Sequence, residues 1–185
     1  MEHKTFNIIL SGVGGQGIIT LLQILAEAAF VEKYDVKTSE LHGLSQRGGS
    51  VVAHLRFGEK IFSPLIKATE ADLILSLEIS EAVRALNFAH SETIFLINKK
   101  YIAFENSLPE EKIVGLLKKT IKDKKLYLVK TSQEITMGVY LLGLAVYKGL
   151  IPLKPNSILK AIKKIIPEKY QKINIKTFNL AGENA

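Results

Sequence analysis

Short apolar runs rich in β-branched residues alternate along this chain with longer segments of helical periodicity. Phe6 to Leu10 reads as a buried parallel strand, and an apolar helix follows from about Gly17 to Glu32. Ile18, Leu22, Leu25 and Ala29 form its stripe, which Ile19, Leu21 and Ala26 broaden. Tyr34 to Leu41 is a second strand. From Val51 the alternation is strict, with Val51, Ala53, Leu55 and Phe57 facing one way and Val52, His54 and Arg56 the other. That predicts a strand with one polar face, turning at Gly58-Glu59 into a hairpin partner near Lys60 to Ser63. Asp72 to Leu77 is again a buried strand, followed by Glu78 and a helix through Phe88 in which Glu81 and Arg84 sit one turn apart and can pair. Thr93 to Ile97 is the next strand, ending at Asn98.

Ser107-Leu108-Pro109-Glu110 has capping-box spacing before a helix with Ile113, Leu116, Leu117 and Ile121 inward, and Leu126 to Val129 is a further strand. Thr131-Ser132-Gln133-Glu134 repeats the signal. The helix it opens stops at Gly149 and is apolar nearly all round, so it is expected to be central or to be buried by a partner chain. Two short helices follow Pro155 and Pro167, the first with Ile158, Leu159, Ile162 and Ile166 inward, the second with Tyr170, Ile173 and Phe178. Strands alternating with helices, plus one hairpin, predict a single domain over residues 1–185. Its fold class is α/β, a three-layer α/β/α sandwich with a mostly parallel, Rossmann-like sheet.

Between the first strand and helix lies Gly12-Val13-Gly14-Gly15-Gln16-Gly17. Gly12, Gly14 and Gly17 have the spacing G-x-G-x-x-G, which suits a strand turning sharply into a helix whose first N–H groups point at an anion above the sheet. Gly15 adds a further position without a side chain, and Gln16 an amide beside those N–H groups. The alternative is a tight, closely packed turn with no ligand. Glu40 falls near the end of the second strand, where a dinucleotide-binding fold puts the acid that holds a ribose. The polar segment from His42 to Ser50 carries Gln46 and Arg47 beside Gly48 and Gly49, and is either a site or a connector.

Composition narrows the chemistry. The chain has 185 residues and no cysteine, which excludes thiolate catalysis and iron–sulfur clusters held by its own thiolates. No apolar run reaches the length of a membrane span and no signal-peptide core is evident, so a cytoplasmic protein without membrane contact is expected. Net charge is −3 over residues 1–92 and +10 over 93–185. The excess in the second part is all Lys on polar helix faces, without clustered aromatics, so no nucleic-acid partner is expected. Arginine occurs only at 47, 56 and 84 in a chain with 22 lysines, which singles out Arg47 as the candidate catalytic or clamping side chain. There is no Walker lysine, no Gly-x-Ser-x-Gly elbow and no metal spacing among His3, His42, His54 and His90. A binding surface lacking an obvious acid, base or nucleophile suits a subunit that completes another chain's active site.

The glycine turn, Ser39 to Val52 with its His42-Gly43-x-x-Gln46-Arg47-Gly48-Gly49 string, Ser63-Pro64-Leu65-Ile66, and Ala71 to Leu75 with Glu78, Glu81, Ala82 and Arg84 carry a resemblance. They resemble the gamma-type subunits of 2-oxoacid:ferredoxin oxidoreductases, the indolepyruvate type above all. Asn174, Phe178 and Gly182 extend it almost to the end of the chain, while Met137-Gly138 departs from it where an asparagine is expected. The resemblance implies oxidative decarboxylation of an aryl pyruvate or similar oxoacid to an acyl-coenzyme A. It places thiamine diphosphate and iron–sulfur clusters on a larger partner subunit, which passes electrons to ferredoxin. It leaves this chain inactive alone, with coenzyme A at the shared site and Gly12, Gly14, Gly15, Gln16, Gly17, Glu40, His42, Gln46, Arg47, Gly48 and Gly49 as candidate binding residues. Two other classes are weighed against it. One is a free-standing nicotinamide or flavin nucleotide-binding domain, for which Glu40 speaks. The other is an adenylating enzyme of the ubiquitin-activating type, against which the absence of cysteine speaks.

Overall fold

Residues that alternate in sequence part to opposite faces of one sheet, and both faces are covered. In the computed structural model, which describes residues 5–42, 48–104, 107–130 and 136–185, six strands form a sheet in the order β2-β3-β1-β4-β5-β6. The strands are β1 (Phe6–Val13), β2 (Asp35–His42), β3 (Ser50–Gly58), β4 (Ala71–Ser76), β5 (Ala89–Asn98) and β6 (Leu126–Val129). β1, β4, β5 and β6 are mutually parallel, whereas β3 runs antiparallel to both β1 and β2.

Ile8 and Leu10 of β1, Ala53, Leu55 and Phe57 of β3, and Leu73 and Leu75 of β4 face the first helical layer. That layer holds α1 (Ile18–Val31), α4 (Met137–Tyr147), α5 (Pro155–Ile165) and α6 (Glu168–Glu183). Ile9, Ile74, Phe95 and Ile97 face α2 (Ile79–Arg84) and α3 (Glu110–Thr120) on the other side. The expected three-layer sandwich is therefore present.

Several local expectations change. The hairpin partner expected at Lys60 to Ser63 is not a strand, and β3 pairs instead with β2 and β1. The reason lies on its supposedly polar face: His54 is 2% exposed, Ile66 donates its N–H to His54 Nδ1 at 3.0 Å, and the segment from Ile61 to Ile66 lies over the sheet. Arg56 holds that segment, donating to the carbonyls of Ser63 and Leu65. Ser107 does not cap α3, which begins at an uncapped Pro109, because its Oγ engages Tyr101 Oη and accepts the N–H of Phe104. Leu116 is exposed, so α3 buries only Ile113 and Leu117. The second capping signal, residues 131–135, lies outside the described residues.

The apolar helix α4 needs no second chain to bury it. Gly138 to Val146 are all buried, between β5, α1 and α6. Gly143 allows the closest approach: a Cβ there would stand 2.6 Å from Cβ of Ala181 and 2.8 Å from the carbonyl oxygen of Phe178. Of the two readings of this helix, the central one holds. Gly149, with φ +67°, ends it as expected.

Candidate functional site

The glycine turn lies at the carboxyl end of β1, on the rim where parallel α/β sheets place ligands. Gly15 and Gly17 have φ of +91° and +85°, left-handed backbone that a side chain would strain. Gln16 closes the turn from within: Oε1 accepts the N–H of Val13 at 2.8 Å and Nε2 donates to the carbonyl of Leu77 at 3.4 Å. Its amide is thus engaged by the protein. Gly12 leaves room for that arrangement, since a Cβ there would meet Oε1 of Gln16 at 2.7 Å. Gly14 donates its N–H to the carbonyl of Gly49 at 2.9 Å and lies against the backbone of Gly48 and Gly49, so the turn and these two glycines form one continuous rim.

The first intrahelical bond of α1 runs from Leu21 N–H to the carbonyl of Gly17, leaving the N–H groups of Ile18, Ile19 and Thr20 without intrahelical partners. In α4 the first bond among the described residues is from Tyr140 to Thr136, and within those residues Met137, Gly138 and Val139 have no backbone acceptor. Neither cap residue, Gly17 nor Thr136, caps its helix with a side chain. Both helix starts open on one cavity of about 670 Å³. Its walls are largely apolar, with Leu21, Ile24, Leu77, Val139 and Ile173 among them, and Lys100 adds a cation. Two helix dipoles and an ammonium group converge here, an arrangement that favours an anionic group at the mouth and an apolar body inside. Among the described residues lining it there is no carboxylate and no imidazole. Asn98 donates to the carbonyl of Leu77 at 3.1 Å. Asn174, 5% exposed, donates to the carbonyl of Tyr170, and its Oδ1 accepts no hydrogen bond.

The sequence-derived candidates meet in part. Gly15, Gln16 and Gly17 line the cavity, and Gly12, Gly14, Gly48 and Gly49 build the rim beside it. Glu40 pairs with Ala53 of β3, which in turn pairs with Leu10. One strand therefore separates Glu40 from β1, roughly 10 Å at ordinary strand spacing, so the acid does not stand beside the glycine turn as it does in a nicotinamide fold. The side chain of His42, and Gln46 and Arg47 altogether, lie outside the described residues. Lys100, Tyr170, Ile173 and Asn174 were missed as site residues. Tyr170 and Ile173 have helical spacing and read as core, yet both are about half exposed and line the cavity. Among the described residues no group of three or more His, Asp or Glu side chains is placed to hold a metal ion.

Residues 7–183 match the model of the pyruvate ferredoxin/flavodoxin oxidoreductase family. The chain belongs to this family. The indolepyruvate oxidoreductase subunit IorB of Pyrococcus horikoshii is 31% identical over 200 residues, covering 98% of this chain and 96% of that protein. In fold, this family member is similar to the gamma subunit of a keto/oxoacid ferredoxin oxidoreductase from Geobacter sulfurreducens. That likeness has a TM-score of 0.67, 20% identity and coverage of 97% and 95% of the two chains. It is also similar to a 2-oxoglutarate:ferredoxin oxidoreductase from Magnetococcus marinus with 2-oxoglutarate, coenzyme A and succinyl-CoA bound, at a TM-score of 0.69 and 15% identity. There the whole of this chain matches 32% of a longer one. The chain is thus a subunit-type member of an oxidoreductase family acting on oxoacids. No helix among the described residues is long and apolar enough to cross a membrane.

Proposed function

We propose that this chain is the small subunit of a thiamine-diphosphate-dependent, indolepyruvate-type 2-oxoacid:ferredoxin oxidoreductase and completes the active site of a larger partner. The observation that carries this reading is the cavity where the N-termini of α1 and α4 and Lys100 converge, between walls that hold no carboxylate or imidazole among the described residues. In this reading the site is assigned to binding, and the chemistry to the partner. Coenzyme A suits it by its chemistry, with phosphates for the helix starts and a mostly uncharged pantetheine arm for the interior. Support comes from the similarity to IorB and from the coenzyme A bound in the Magnetococcus enzyme.

Iron–sulfur clusters belong to the partner in this reading, because a chain without cysteine offers them no thiolate, and thiamine diphosphate is assigned to the same partner. Bound there, thiamine diphosphate would supply an electron sink for decarboxylation, and the clusters a route for electrons to ferredoxin. This chain's part is to seat the thiol substrate and exclude water. Ile102, Phe104 and Leu108, exposed on the loop after β5, offer the partner an apolar rim. Arg47, Gln46 and His42 are assigned to the shared surface, with Arg47 as an anion clamp.

Co-expression with the larger subunit, followed by oxoacid-dependent dye reduction with and without coenzyme A, tests the reading. Activity is expected only in the complex and only with coenzyme A. Turnover by the isolated chain, or failure of the chain to join the complex, overturns it. Within the complex, Arg47→Ala should lower kcat/KM roughly 10- to 100-fold, with Arg47→Lys recovering part.

A further inference from the structure

Glu81 lies on the rim but outside the cavity. It stands in the first turn of α2, 5% exposed, where a carboxylate is costly unless its lone pairs are taken. Arg84, one turn on and more than half exposed, approaches Oε1 only to 3.6 Å. The short, directed contact is on the other oxygen: Oε2 accepts the hydroxyl of Ser50 at 2.5 Å. Ser50 opens β3 opposite Val13, and its neighbour Gly49 takes the N–H of Gly14 at 2.9 Å. The backbone of Gly48 and Gly49 would lie nearest to a Cβ on Gly14, from 3.5 Å, so that backbone supports the turn laterally. Carboxylate, hydroxyl and carbonyl thus form a relay from the second helical layer to the glycine turn.

We infer that Glu81 is a positioning residue, which through Ser50 and Gly49 sets the glycine turn at the place where it receives the coenzyme A phosphates. The inference rests on the coenzyme A reading of the site. Glu81 touches no substrate in this assignment, so it acts on binding of one substrate and leaves the chemical step alone.

The test is steady-state kinetics on the reconstituted complex. Glu81→Ala and Ser50→Ala should each raise KM for coenzyme A roughly 10-fold, with KM for the oxoacid and kcat at saturating coenzyme A unchanged. Glu81→Gln should restore most of the loss, since its amide oxygen accepts the same hydroxyl. Should Glu81→Ala fail to assemble, Ser50→Ala decides alone. Unchanged coenzyme A kinetics in a wild-type-dependent assay overturn the inference by itself, as does an equal rise in both KM values, which marks a general structural role. A wild-type complex indifferent to coenzyme A overturns the site reading and the inference together.

Discussion

Ile66 donates its backbone N–H to Nδ1 of His54, and both residues are buried. This bond fixes the tautomer with the proton on Nε2, which has no partner, and the imidazole meets the ring of Phe88 edge to face at 5.1 Å. Burial lowers the pKa of His54 from its ordinary 6.5. The unfolded chain therefore takes up a proton below pH 6.5 that the folded chain does not. Stability contributed by neutral His54 is complete above that pH and is lost as pH falls towards the folded value. The slope reaches about 1.4 kcal/mol per pH unit for one proton. Urea unfolding between pH 7 and 5 should show a steeper fall for the wild type than for His54→Gln, whose oxygen can still accept from Ile66. Parallel curves would remove His54 from the account.

The contact between α4 and α6 predicts a cost at Gly143. A methyl group there meets Ala181 and the backbone of Phe178, neither of which is the free end of a flexible side chain. Gly143→Ala gains helix propensity, but overpacking of about 1–3 kcal/mol should dominate. In a chain of this size that lowers Tm by roughly 2 to 12 °C in a calorimetric scan. An unchanged or raised Tm would mean that the two helices separate freely.

Two glycines of the turn should behave differently. Gly17 has φ +85°, so Gly17→Ala costs about 1–2 kcal/mol of stability through backbone strain. Gly14 has no such constraint, and a Cβ there finds its nearest neighbour at 3.5 Å. Gly14→Ala should therefore unfold like the wild type while reducing coenzyme A affinity in the complex, because the methyl group crowds the rim. Calorimetry of both variants, with binding measured on the assembled enzyme, separates backbone strain from crowding.

How far the sequence carried follows from where each residue's environment is local. The strand-glycine-helix start at Phe6 to Ile18 was legible because spacing and backbone demands sit within a dozen residues. The partner of β3 was not, since Gly58-Glu59 looks like a hairpin turn and only tertiary packing of Ile66 on His54 shows that the following segment lies across the sheet. The distance of Glu40 from β1 was not legible for a related reason: insertion of β3 between β1 and β2 is a long-range pairing that no local pattern announces. The cavity combines Gly17, Lys100, Met137 and Ile173 from four separate parts of the chain. Its apolar wall has the same periodicity as core, so helical spacing alone could not separate them.

Ile173 gives the sharpest test of the cavity. It lies on α6 and is about half exposed, so enlarging it need not disturb the packed interior. Tryptophan fills space that the proposed pantetheine arm would use, and its indole N–H can point towards the open side. Ile173→Trp should thus leave Tm within about 2 °C, as surface changes near ±0.5 kcal/mol do. In the complex it should raise KM for coenzyme A roughly 10- to 100-fold, with KM for the oxoacid unchanged. Ile173→Ala, which opens the cavity and removes modest contact, should change the same KM by roughly three-fold at most. A tryptophan variant that assembles, unfolds normally and binds coenzyme A as the wild type does would place the thiol substrate elsewhere on the rim.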